Sequence, residues 1–259
     1  MKKIAVLFVS FLIFALGCDN ENSNQSLKSK YVNKKIENVN YSNIPDSILN
    51  LYQNYAGIIA VREMQNDPKL YESTIEIPSE LKALFYNSLC QVYNATYLNA
   101  RDIVIEQYKI GVFPIPETNN FLIEADTSET WVKTLIGNHL YSGNPKFDSL
   151  MQQFNLNFRN YYNFTGFTGF SFYSQNQLNL YPLFNSIKSI NGVKSVFANS
   201  VIGDGNNITA EIFNDYIQLV YRYGFGDCPS GCIYSHYWMF RVYYDGIVEY
   251  LYEWGNPIN

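Results

Sequence analysis

The chain has 259 residues, of which 47% are apolar and only 16% charged, and its formal net charge is −5. Such a composition can bury a sizeable core, which excludes a disordered chain, and its acidic balance gives no basic footprint for nucleic acid. Two histidines leave little room for histidine-based metal or acid–base chemistry, and an aromatic content of 17% favours a strand-rich fold.

At the start of the chain, Lys2 and Lys3 precede the apolar residues 4–16. This run of about thirteen residues is too short to cross a bilayer and suits the core of a signal peptide. It ends in Ala15-Leu16-Gly17-Cys18, which resembles the lipobox of bacterial lipoproteins, with Leu16 standing where a small residue is more usual. The resemblance implies that residues 1–17 are removed and that Cys18 is acylated as the mature N-terminus. Several acyl chains, at about 0.8 kcal/mol per buried methylene, tether a protein to a membrane without crossing it. Residues 18–43 begin with a polar stretch almost free of large apolar groups and read as a flexible stalk. Asp19 and Glu21 after the cysteine resemble the surface-export signal of Bacteroidota lipoproteins, which favours the outer membrane or cell surface over the inner membrane.

Ordered structure is expected as an N-terminal α+β region over residues 44–165 and a C-terminal helix-plus-sheet region over residues 166–259, with one domain or two left open. Ile48, Leu49, Tyr52 and Tyr55 have helical spacing behind Asp46 or Ser47 as cap. A second helix starts at Pro78-Ser79 and places Leu81, Leu84, Phe85, Ser88, Leu89 and Val92 on one face, with Cys90 as a core-filling thiol. Residues 101–111 read as a strand, or as a short helix turning into one, and residues 113–116 as an extended connector. A strand at 120–126 leads to a short helix capped by Thr127 or Ser128, with Trp131, Leu135 and Ile136 inward. After a helix at 146–154, a β region runs from Leu156 to Tyr173. The helix at 182–190 is closed by Asn191-Gly192, glycine accepting the left-handed cap. Strands at 193–200 and 208–213 follow.

The densest segment is the last. Residues 216–223 and 233–244 are rich in β-branched and aromatic side chains, and between them Gly224-Phe-Gly-Asp-Cys-Pro-Ser-Gly-Cys232 is punctuated by glycine and proline. Asp245-Gly246 turns the chain into a third run, residues 247–254, which predicts a three-stranded antiparallel meander. Cys228 and Cys232 admit three readings: a disulfide that fixes the turn, a metal site with His236 and with Asp227 or His139, or thiol–disulfide chemistry. The disulfide is the simplest in an oxidising compartment. The segment resembles a Gly-Trp-Gly-Asp-Cys-Pro-Ser-Gly-Cys signature of uncharacterised secreted and lipid-anchored Bacteroidota proteins, with Phe225 here in place of tryptophan. That resemblance implies a cell-envelope protein and brings no catalytic assignment. The fold class expected is α+β, an antiparallel sheet with helices on one face and the meander braced by the disulfide. Cystatin-like folds share this element order, an analogy that touches function only as a distant protease-inhibitor reading.

No hydrolase, metalloprotease, phosphate-binding or dinucleotide motif is present, and the sequence calls for no catalytic residue, no metal and no cofactor. Carboxylate pairs for a polysaccharide or peptidoglycan hydrolase would be Glu124 with Asp126, or Asp227 with Glu249. Asp227 is expected to accept backbone N–H bonds in its turn. Asp227, His236, Tyr237, Trp238 and Trp254 are the candidate binding residues, because aromatics alternate through the last sheet and one face would suit a glycan or an envelope protein. The sequence therefore favours a membrane-tethered, non-enzymatic binding module over a hydrolase.

Overall fold

The computed structural model describes residues 31–199 and 201–258; the expected signal peptide, Cys18 and the first part of the expected stalk lie outside the described residues. Residues 34–258 make up one compact unit. Helix α1 (Asp46–Gln65) starts behind Pro45, with the Asp46 carboxylate in its first turn, where it favours the helix dipole. It continues beyond Tyr55, the last residue of the expected spacing, because Ile58, Ile59, Ala60, Val61 and Met64 extend the buried face. Gly57 makes room for the Gln177 side chain, whose amide oxygen lies 2.1 Å from where a β-carbon would stand. A short α2 (Pro68–Ser73) is capped by the Asp67 carboxylate, and α3 (Ser79–Asn94) buries the predicted face from Leu81 to Val92 together with Cys90.

Residues 101–111 correct the strand reading. They form the end of α4 (Asn99–Asp102) and a π-helical turn over Ile103–Gln107. Ile103, Val104 and Ile105 carry strand propensity, but buried Arg101 overrides it. Its guanidinium donates to the Tyr93 carbonyl at 2.8 Å and pairs with both Asp102 and Glu106. A partner five residues along is within reach only in a helical turn, since a strand would carry it roughly 16 Å away.

The expected sheet is two sheets, each antiparallel and four-stranded, which keeps the α+β class. The first comprises β1 (Asn120–Ala125), β2 (Leu156–Phe164), β3 (Phe167–Ser174) and β4 (Val193–Ala198) in the order β2-β3-β1-β4. Helices α5 (Thr130–Asn138), α6 (Pro145–Gln153) and α7 (Leu180–Lys188) supply Val132, Leu135, Phe147, Leu183 and Ile187 to its core, facing Phe121, Ile123, Phe170 and Phe172. Two predicted caps differ. Asp126 accepts from the Ser128 amide, so α5 begins behind Glu129, and α7 ends at Ser189, leaving Gly192 (φ +83°) to turn the chain into β4.

The second sheet is a meander in chain order: β5 (Asn207–Ile212), β6 (Tyr216–Phe225), β7 (Tyr234–Tyr243) and β8 (Val248–Gly255). The predicted three strands gain β5 as a fourth. Side chains alternate across the pleat. Ile208, Ile217, Leu219, Tyr221, Trp238, Phe240, Val242 and Val248 are buried on the inner face, where α1 approaches β5 and α3 approaches β7. Among the described residues no helix lies on the opposite face.

Candidate functional site

The open face of the second sheet is built by register. Tyr237 on β7 pairs with Trp254 on β8 and Arg222 on β6, and Met239 pairs with Tyr252 and Val220. A bulge between Met239 and Phe240 shifts β8 by one residue, which keeps Tyr252 and Trp254 on the same outward face as Glu249. The Tyr237 and Trp254 rings stack at 5.0 Å with an interplanar angle of 11°, and Tyr252 joins Trp254 at 5.4 Å. Tyr252 is 53% exposed and Trp254 38%. One level along the sheet, the Arg241 guanidinium lies 4.7 Å over the Tyr216 ring and 3.9 Å from the Glu249 carboxylate.

Beside this platform the signature turn is fixed rather than reactive. Cys228 and Cys232 form a disulfide, their Cα atoms 3.9 Å apart, so neither sulfur is a free thiolate for a metal or for exchange. The Cys232 sulfur lies 2.6 Å from where a β-carbon on Gly224 would stand, which explains the glycine. The connection from β4 to β5 docks on this turn: Asp204 donates its amide to the Cys228 carbonyl at 2.9 Å, and Gly224 donates to the Asn206 side chain at 3.2 Å. Arg222 clamps the same connection, binding both Asp204 carboxylate oxygens at 2.6 Å and the Gly205 carbonyl at 3.0 Å. Hydrogen bonds from Arg222, helped by its charge, hold the Asp204 carboxyl down at about 2, below the usual carboxylate range.

Of the candidate binding residues, the structure brings Tyr237 and Trp254 together and separates the others. Trp238 is a core residue, 1% exposed, because the strand alternation that turns Tyr237 outward turns its neighbour inward. His236 shares Trp238's side of the strand. Its ring lies 4.6 Å from that indole, its Nδ1 is 2.7 Å from the Asn256 carbonyl, and its Nε2 is 4.0 Å from the Glu253 carboxylate. The Asp227 carboxylate makes no capping bond; its backbone carbonyl accepts from Ser230 instead, and Asp204 is the acid that holds the turn. His139 takes the left-handed position after α5 and stacks on Phe158 at 4.4 Å, in the other sheet from His236. Among the described residues no three histidine, cysteine or acidic side chains are placed to hold a metal.

The Asp227–Glu249 pair lacks hydrolase geometry. Asp227 sits beyond Phe225, the partner of Tyr234, whereas Glu249 pairs with Arg241. The stretch of β7 between those levels spans roughly 20 Å at ~3.3 Å per residue, about twice the widest separation that glycosidases use. Glu124 accepts from Ser195 Oγ at 2.9 Å. Hydrogen bonds from Ser128, backbone first, lower the Asp126 pKa, opposite to what a general acid requires.

Sequence reasoning missed Asp204, Arg222 and Arg241. The Gly203-Asp-Gly-Asn-Asn207 cluster signalled a constrained loop, but nothing in the chain reveals that it docks on the disulfide turn. No family model, no curated protein and no solved structure matches the chain.

Proposed function

We propose that the protein is a lipid-anchored binding module of the bacterial cell envelope that recognises a glycan on the open face of its second sheet. The observation that carries this reading is the stacked, near-parallel Tyr237–Trp254 pair, extended by Tyr252, on a face that no helix among the described residues covers. The apolar C–H face of a sugar ring lies flat on such rings, while neighbouring charged and amide groups fix its hydroxyls. Arg241, Glu249 and Gln218 supply those groups one level along the sheet. The platform stands on paired strands whose end is locked by the Arg222–Asp204 clamp and the disulfide, so ligand binding requires little ordering. Tethering rests on the lipobox resemblance at Cys18, and envelope residence on that resemblance together with the signature at residues 224–232. Tyr237 and Trp254 are binding residues in this reading, and no residue is assigned to catalysis.

The test is to titrate soluble envelope polysaccharides into the chain from Asp19 onward, following both heat of binding and new reducing ends. Saturable binding without new ends is expected, weakened about tenfold or more in Trp254→Ala, the order expected for the loss of one aromatic stack with its buried area. Release of reducing ends would replace the binding module with a hydrolase.

A further inference from the structure

A second recess lies away from the open sheet face, where α1, the end of α3 and the π-helical turn meet. It is a cleft of about 420 Å³, walled by Ile48, Leu51, Ile105 and Ile110 and by the rings of Tyr52, Tyr55 and Tyr93. This size and mixed lining are those of a small-molecule site, and π-helical turns are frequently found at functional positions. The polar groups in it are unequally engaged. Glu106 at the rim is paired with Arg101, whose guanidinium is buried, lies 4.8 Å over the Tyr93 ring and also holds Asp102. Lys109, in the left-handed conformation at φ +47°, makes no hydrogen bond or ion pair among the described residues. The Tyr52 and Tyr55 hydroxyls likewise make no hydrogen bond among the described residues, and burial raises both phenol pKa values, so they remain neutral donors. The cleft thus offers apolar walls, two donor hydroxyls and one unpaired ammonium, whereas its one carboxylate already has a partner.

We infer that this cleft binds a small amphipathic carboxylate, its hydrocarbon body between Leu51 and Ile110 and its carboxylate on Lys109 and a tyrosine hydroxyl. The proposal is independent of the glycan reading, because none of these residues lies on the second sheet. Octanoate, held below its micelle concentration, is the probe, and octyltrimethylammonium gives the same hydrocarbon body with the opposite charge. Calorimetry of the chain from Asp19 onward should show one saturable octanoate site and weaker binding of the cation. Lys109→Asn keeps a residue that tolerates the left-handed backbone and removes the ammonium; it should weaken octanoate about tenfold, as expected for loss of one charge-assisted hydrogen bond. Leu51 is 38% exposed, so Leu51→Trp fills the cleft from its mouth without disturbing the core, and it should abolish binding. Trp254→Ala should leave the octanoate affinity unchanged. Absence of saturable octanoate binding, tighter binding of the cation, or undiminished binding in Leu51→Trp would each overturn the proposal.

Discussion

Trp238 and Trp254 stand on neighbouring strands and face opposite ways, and that difference decides what each substitution does. Trp238 is buried among Tyr108, His236 and the inner sheet face, so Trp238→Ala should cost about 3–5 kcal/mol of stability. Trp254→Ala, on the open face, should change stability by about 0.5 kcal/mol or less while weakening ligand binding about tenfold or more. Denaturant unfolding of both variants checks this, and equal losses would mean that the outer face is also core. Asp204 makes a separate prediction. Its carboxyl is held at about 2 by Arg222, below the unfolded-state value near 3.9. The paired carboxylate therefore adds stability above pH 4, and that contribution disappears as the pH falls through about 2. Melting curves should show wild type above Asp204→Asn at pH 5 and the gap closed near pH 2. A gap that does not change with pH would contradict the clamp. These outcomes also mark the limit of what the residues alone convey. Alternation in residues 234–244 reveals two faces, but both carry aromatic rings, so the pattern alone could not say which face the helices cover.

At the scale of elements, the signature turn is a brace. Its loop is short, so removing the disulfide with Cys228→Ala/Cys232→Ala should cost only about 2 kcal/mol. The greater consequence is looser docking of the β4–β5 connection, because Asp204 and Gly224 bond around that turn. Amide exchange at Asp204 and Gly224 should quicken in the double variant, and unchanged protection would show the turn to be self-supporting. Alkylation and intact mass provide a companion test on the chain from Asp19 onward, produced in an oxidising compartment. One thiol, Cys90, should be found in unfolded, unreduced protein, and two more after reduction. In the native protein Cys90 should resist alkylation at pH 8, since burial pushes its pKa up to about 12. The turn, the meander and α3 were all legible from local chemistry, because glycine, proline and apolar spacing act within a few residues. The π-helical turn was not, since its β-branched residues favour strand and only the contacts of Arg101 reverse that preference.

At the scale of the whole molecule, the proposed function places a rigid, aromatic recognition surface on a protein expected to be tethered. The helices cover one side of each sheet's core, and among the described residues none covers the other side of the second sheet. The chain's three tryptophans permit a direct test, because each contributes one indole N–H signal in solution. Trp131 donates its indole N–H to the Asn191 carbonyl at 2.9 Å inside the first core, Trp238 is buried in the second, and Trp254 alone lies on the open face. The decisive measurement is the set of indole signals during titration with a polysaccharide that binds. The Trp254 signal should shift to saturation while those of Trp131 and Trp238 stay in place. A bound ligand that leaves Trp254 unmoved would contradict the proposed function and place recognition elsewhere on the molecule.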